Sequence, residues 1–196
     1  MGGYIAKRKY MFEGYKLLLA SKSPRRLQLV GQLGIATEVV TISANEDIDP
    51  TVPCSDISEM LAKRKSDAYT QTLANNEILL TADTLVVLDD KVLVKPSSRE
   101  NAIEMLSDLS GKRHQVYTGV CLRIANSVKT FTEATDVYFK KLSSKEIEYY
   151  LDNYQYMDKA GAYGIQDWIG MVGSLLSFLF SLLSSFIKTS WTCNIV

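Results

Sequence analysis

The chain has 196 residues, 46% of them apolar, enough for one good core or for two small lobes. Its 22 basic and 22 acidic side chains cancel, so no global positive field marks a nucleic-acid binder and no nucleic-acid partner is expected. Cys54, Cys121 and Cys193 are odd in number and form no CxxC pair. This argues against a disulfide framework or a structural zinc site and fits a reducing, cytoplasmic setting.

Residues 1–15 read as an N-terminal extension. Lys7, Arg8 and Lys9 have no apolar run behind them, so no secretory signal is expected, and Met11 offers an alternative start. Lys16–Ala20 (KLLLA) predicts a buried strand running into a helix with Pro24 in its first turn, Leu27, Val30 and Leu33 on its inner face, and Gly34 at its close. Glu38–Ser43 is β-branched and predicted to be extended, followed by an acidic loop from Asn45 to Pro53. Ile57, Leu61, Arg64 and Ala68 recur at helical spacing behind candidate caps at Ser55 and Asp56, with Lys65 at the edge of the inner face.

Glu77–Leu88 carries two strands' worth of apolar residues, interrupted at Thr81-Ala82-Asp83-Thr84, and Asp89-Asp90-Lys91 turns it into Val92–Val94. Ser98 caps a helix whose inner positions are Ala102, Met105, Leu106 and Leu109 and which Ser110-Gly111 ends. From Val116 to Ile124 apolar and polar residues alternate, Ala125-Asn126-Ser127 turns the chain back, and Lys129–Lys141 forms the antiparallel partner. Ser143, with Glu146 three residues on, opens a last helix through Asn153. Strands mixed with helices and a long hairpin predict an α/β or α+β domain with a mixed sheet.

Ser21-Lys22-Ser23-Pro24-Arg25-Arg26 offers hydroxyls, guanidiniums and the N–H groups of a helix start, all of which favour a phosphate. The same residues also serve as helix caps and a solvated surface in many proteins. Asp83 interrupts a run that is otherwise apolar, so its carboxylate needs a partner or a metal to offset desolvation, unless it only ends a strand. Lys95 stands before Pro96 at another strand end, a place where a lysine is commonly a plain surface residue. His114 is the single histidine and sits just before a strand, which favours a hydrogen-bonded structural role over that of a base.

The order of these pieces is more specific than any one of them. L-A-S-x-S-P-R-R (Leu19–Arg26), A-D-T-x-V-V (Ala82–Val87), Lys95-Pro96, L-S-G-x-x-H-x-V-Y-T-G (Leu109–Gly119) and D-K-A-G-A-Y-G-I-Q (Asp158–Gln166) together resemble the Maf (septum formation inhibitor) nucleotide pyrophosphatases over residues 16–170. The resemblance implies a fold like that of the inosine-triphosphate-pyrophosphatase group, a central mixed α/β sheet with flanking helices in two lobes around a nucleotide cleft. It also implies a hydrolase acting on acid anhydrides, which cleaves between the α- and β-phosphates of a nucleoside triphosphate to leave a monophosphate and pyrophosphate. Carried over residue by residue, Ser21, Arg25 and Arg26 hold the triphosphate, Lys65 and Lys95 neutralise it, and Asp83 is the catalytic acid/base or metal ligand. Gln166, in the family's G-I-Q segment, faces a pyrimidine base, which points to the dTTP/UTP type of member. Lys159 either adds a phosphate contact or only pairs with Asp158. Oxygen ligands on phosphates and carboxylates suit Mg²⁺, with Mn²⁺ as its replacement, and the family suggests a homodimer.

The chain departs from the family pattern in two places. The family's metal-site glutamate has no unambiguous counterpart: alignment on Asp49 puts Pro50 there, whereas counting back from Lys65 selects Glu46, with Asp47 and Asp49 nearby. Residues 171–196 form an atypical apolar tail, and from Trp168 onward the sole charge is Lys188. Trp168–Ile187 gives 20 uncharged residues, the length of a membrane span, flanked by Trp168, Lys188 and Trp191 but weakened by its serines and glycines. Three readings of the tail stand: a shifted reading frame, a membrane anchor, or an apolar helix that packs on the domain or a partner. Two functions follow. One is a metal-dependent pyrophosphatase of dTTP, UTP or modified pyrimidine nucleotides that cleans nucleotide pools. The other is a catalytically impaired nucleotide-binding module that regulates division, with the tail serving a membrane or partner.

Overall fold

The apolar runs of the N-terminal part of the chain form parallel strands. In the computed structural model, which describes residues 12–165, 167–171 and 173–175, β1 (Lys16–Ala20) lies between β2 (Ala36–Val39) and β3 (Glu77–Leu88) and is parallel to both. Lys16 is in register with Ala36 on one side and with Glu77 on the other, and its ammonium pairs with Glu38 at 2.5 Å. A strand with parallel neighbours on both sides is covered on both faces, which is why β1 reads as an unbroken leucine run rather than an alternation. With β4 (Lys91–Leu93), β5 (Arg113–Ile124), β6 (Ser127–Phe139) and β7 (Gly173–Leu175), the hydrogen-bonded order is β2-β1-β3-β5-β6-β7, with β4 on β3, a mixed sheet accompanied by helices.

The chain divides into two compact units, one made of the residues up to Asp83 with Thr118–Thr132, the other of Thr84–Tyr117 with the residues from Glu133 on. Strands β3, β5 (Arg113–Ile124) and β6 (Ser127–Phe139) contribute to both.

In the first unit α1 (Pro24–Gly31) has Pro24 as its first residue, where a missing N–H costs nothing. It ends three residues before Gly34, which instead takes φ +72° in the turn into β2. Strand β2 starts and stops earlier than the β-branched run suggests: Val40 N–H still reaches Leu19 O at 3.0 Å, but β1 ends at Ala20 and offers no further ladder. α2 (Cys54–Asp67) begins ahead of its expected caps, with Pro53 at the cap position. Ser55 Oγ donates to Asp56 Oδ1, and Asp56 contributes its charge to the helix's first turn, where it complements the dipole. β3 is one strand of 12 residues, not two. The polar residues in its middle are absorbed: buried Thr81 donates its hydroxyl to Ala62 O on α2 at 2.6 Å, which removes the reason for a break.

The second unit holds β4 (Lys91–Leu93), α3 (Arg99–Leu109), α4 (Ser144–Asn153), α5 (Trp168–Met171) and β7 (Gly173–Leu175). Asp89 and Asp90 both take positive φ, 47° and 63°, and close the two-residue turn between β3 and β4. The caps lie where the sequence places them: Ser98 accepts from Asn101 N–H, and Ser143 with Glu146 completes a capping box. Lys140 and Ser143 together hold the Glu146 carboxyl down at about 2. Ala102, Met105, Leu106 and Leu109 of α3 enter one core with Val137, Ile147, Tyr150 and Leu151. Ile169 is fully buried in the same core, and Gly173–Leu175 pairs antiparallel with β6, Leu175 opposite Val137. The uncharged run from Trp168 therefore begins as a four-residue helix and a strand of the domain rather than as one long helix. Among the described residues no helix is long and apolar enough to cross a membrane; the rest of the tail, like the first eleven residues, lies outside them.

At Gly119 on β5 the backbone of α2 comes close to the sheet. A Cβ built there would stand 2.1 Å from the Ser58 carbonyl carbon and 2.2 Å from Glu59 N, both backbone atoms of α2 that no rotamer change can move away. On the same contact Glu59 accepts from Thr130 and Thr132 of β6, at 2.5 and 3.1 Å. Gly119→Ala is expected to lower stability by about 3 kcal/mol, because α2 must lift from the sheet. Urea unfolding of the two proteins measures it.

Candidate active site

The loop between β1 and α1 and the middle of β3 meet through Arg26. Its Nη1 donates to Ala82 O at 3.0 Å and to Ser21 Oγ at 3.3 Å, and the same Ser21 oxygen accepts the Ser23 N–H at 3.2 Å. Ser23 sits at the α1 cap without a side-chain cap bond, so the serines here organise the loop rather than cap the helix. Burial pushes the Arg26 guanidinium below its ordinary value. Asp83 opposes that shift, the like charge of Arg25 adds to it, and Glu46 opposes it. Arg25, Asp83 and Glu46 are thus all within electrostatic reach of Arg26.

Asp83 follows Ala82 on β3. Its Oδ2 is 2.8 Å from Lys65 Nζ, and the same ammonium is 2.8 Å from Glu46 Oε1. Lys65 and Asp83 are largely shielded, with side chains 19% and 17% exposed, whereas Glu46 is 53% exposed. Lys65 comes from the C-terminal turn of α2 and Glu46 from the loop after β2, so helix, strand and loop each supply one charge. Arg64, next to Lys65, donates to Asp47 O at 2.6 Å, Asn45 Oδ1 accepts the Asp47 N–H, and Asp49 Oδ1 accepts from the Thr51 N–H and hydroxyl. The loop's acids therefore have different work. Asp49 stabilises its own turn, Thr51 holding its carboxyl below the usual range, while Glu46 reaches the lysine.

Of the residues singled out from sequence, Ser21, Arg25, Arg26, Glu46, Lys65 and Asp83 come together in the first unit. Lys95 belongs to the second, exposed just beyond β4 and followed by buried Pro96. Gln166 lies outside the described residues. From sequence Arg64 is only part of the inner helical stripe, which does not reveal its anchoring of the Glu46 loop. The signal was present in the sequence: an arginine on an otherwise apolar stripe needs a polar partner.

The family model for Maf-like proteins matches residues 16–175. The chain belongs to the Maf family. It is 51% identical over 163 residues to a dTTP/UTP pyrophosphatase of Bacteroides thetaiotaomicron, covering 81% of this chain and 83% of that relative. It is 47% identical to one of Phocaeicola vulgatus, over 82% of this chain and 84% of the relative, and 43% identical to one of Flavobacterium psychrophilum, over 83% of each. Among solved structures it is similar to the Staphylococcus aureus Ham1 protein at a TM-score of 0.47 and 14% identity, covering 89% of this chain and 99% of that one.

His114 of this Maf chain has a structural place. It is 2% exposed in the second unit, its Nε2 lies 2.6 Å from the Tyr163 hydroxyl, and its ring packs edge-on against Phe139 and Tyr163 at 5.0 and 5.5 Å. Nearby, Lys159 pairs with Asp167 at 3.2 Å rather than with its neighbour Asp158, and Asp167 accepts from the Tyr150 hydroxyl at 2.8 Å. Burial pushes the imidazole down from 6.5 to about 4. A histidine kept neutral in the fold gives stability that is fully present above pH 6.5 and lost as the pH falls towards 4, about 3 kcal/mol in all. Because the chain has a single histidine, its imidazole resonance is unambiguous, and an NMR titration of the native protein is expected to show a midpoint near 4; one near 6.5 would place the ring in solvent.

Proposed function

We propose that this Maf chain hydrolyses the α–β phosphoanhydride of dTTP or UTP, or of a modified pyrimidine nucleotide, with the help of a divalent metal ion. The observation that carries the reading is the meeting of Arg26, Lys65, Asp83 and Glu46 beside the Ser21 loop, a charge arrangement suited to a triphosphate. The relatives' names, dTTP/UTP pyrophosphatase, support the substrate.

The reaction asks mainly for positioning and charge neutralisation. Arg26 is held by Ala82 O and Ser21 Oγ, so its planar cationic head is fixed beside the Ser21 loop, where it can meet phosphate oxygens. Ser21 accepts hydrogen bonds at its oxygen and has its proton to donate. Arg25 and Lys65 add positive charge, and Lys95 is assigned to the phosphates on the strength of its motif. Asp83 is the general base: it takes a proton from the water whose oxygen attacks phosphorus, while the bridging oxygen leaves with pyrophosphate. Gln166 is assigned to the base edge, since an amide offers a donor and an acceptor to a pyrimidine.

Among the described residues no three His, Cys, Asp or Glu side chains gather to hold a metal alone. Asp83 and Glu46 nonetheless share one cationic partner, so their carboxylates face a common point, and one or two carboxylates completed by substrate phosphates is the usual way Mg²⁺ is held. These two residues fit the ion, Mg²⁺ or Mn²⁺. When bound, it supplies charge neutralisation at the phosphate oxygens and a more acidic water.

Pyrophosphate release from dTTP and UTP, run beside purine triphosphates with Mg²⁺, tests the reading. Pyrophosphate rather than orthophosphate is expected, with Asp83→Asn slower by about 100-fold or more. Release of orthophosphate, or an Asp83→Asn protein of full activity, would overturn it.

A further inference from the structure

We infer that Lys65 and the divalent cation compete for the Asp83–Glu46 carboxylate pair, so that the pair takes up the metal only when a triphosphate draws the Lys65 ammonium away. The inference rests on the reading of this cluster as the triphosphate site and goes beyond it, because it assigns an order and a coupling to the two ligands.

The geometry supplies the competition. Lys65 Nζ is 2.8 Å from both Asp83 Oδ2 and Glu46 Oε1, so it stands at the point the two carboxylates share. A divalent ion bound by the same two oxygens would lie against that ammonium, and the repulsion between the two cations is strong in a site where Lys65 and Asp83 are four-fifths shielded from water. One cation must leave. Lysine is built for leaving: its charge is a compact head on a flexible four-carbon stem with rotatable donors. Its neighbours are built to stay. Arg26 is tied to Ala82 O and Ser21 Oγ, and Arg64 ties the Glu46 loop to α2 through Asp47 O. When Lys65 departs, the carboxylates and the phosphate-binding guanidinium therefore keep their places.

A triphosphate gives the ammonium somewhere to go. Its oxygens attract Lys65 and at the same time offer the metal further hard ligands. Binding of nucleotide then strengthens binding of metal, and by linkage the metal strengthens nucleotide binding by the same factor. In the metal-free, nucleotide-free protein the Lys65 ammonium is shared by the two acids.

The test measures metal binding without turnover. Mn²⁺ is titrated into the full chain and followed by the electron paramagnetic resonance of the free ion, with and without an α,β-imido analogue of dUTP, for wild type, Lys65→Met and Lys65→Arg. Wild type is expected to bind Mn²⁺ weakly alone and tightly with the analogue. Lys65→Met is expected to bind Mn²⁺ alone about 10-fold more tightly or better and to lose most of the enhancement by nucleotide. Lys65→Arg, which keeps the charge, is expected to stay weak. If Lys65→Met does not fold, Lys65→Gln takes its place. Equal Mn²⁺ affinity of wild type and the uncharged variant in the absence of nucleotide, or a loss of affinity in that variant, overturns the inference, even where wild type hydrolyses dTTP. Tighter metal binding by the uncharged variant in a protein that cleaves no triphosphate upholds the competition while the proposed activity fails.

Discussion

Lys65 offsets two carboxylates at once, and much of the first unit serves to bring those three charges to one point. Asp83 is mostly shielded and sits on a strand flanked by apolar residues, a position where an unmatched carboxylate would be costly. The ammonium, with the Arg26 guanidinium in electrostatic reach, helps an acid stand in the middle of β3, and Glu46 reaches the same ammonium from a more exposed position on its loop. Neither carboxylate acts through its own element alone; the two meet at the cation they share.

The cation is in turn placed by the seat of α2 on the sheet. That seat is held by the Thr81 hydroxyl on Ala62 O, by Glu59 accepting from Thr130 and Thr132, and by the close approach at Gly119, where the absence of a side chain lets the Ser58–Glu59 backbone pass. Arg64 then ties the Glu46 loop to the same helix. Adjacent basic residues thus divide the work, the arginine fixing backbone through a planar, rigid head and the lysine holding side chains through a mobile one. Arg26 performs the matching task on the other side, joining the Ser21 loop to β3 through Ala82 O.

Legibility in the sequence followed how local each signal is. The side-chain helix caps at Ser98 and Ser143, the hairpin through Asp89-Asp90 and the inner face of α3 are readable because their causes lie within a few residues of one another. The break expected inside Glu77–Leu88 was wrong because the partner of Thr81 is nineteen residues away, on α2. The limits of β2 were misplaced because they depend on how much of β1 is available to pair with. The run from Trp168 has the length of a membrane span, one of three readings it allows, and its first part has a place in the domain: Ile169 fills a core and Gly173–Leu175 pairs with β6; hydropathy measures how apolar a residue is, not which apolar surroundings receive it.

By itself the sequence determined the order of motifs, the mixed α/β composition and the residue types a triphosphate needs, because these reside in the linear pattern. It selected Glu46 by counting back from Lys65, with Asp47 and Asp49 close enough to substitute, and gave Arg64 no task beyond the helix. Only the tertiary structure decided that Glu46 is the acid that shares Lys65 with Asp83, that Asp49 serves its own turn and that Arg64 holds the loop. The reason is physical: an ion pair is specified by distance in space, and segments from Glu46 to Asp83 acquire that distance only when loop, helix and strand have packed.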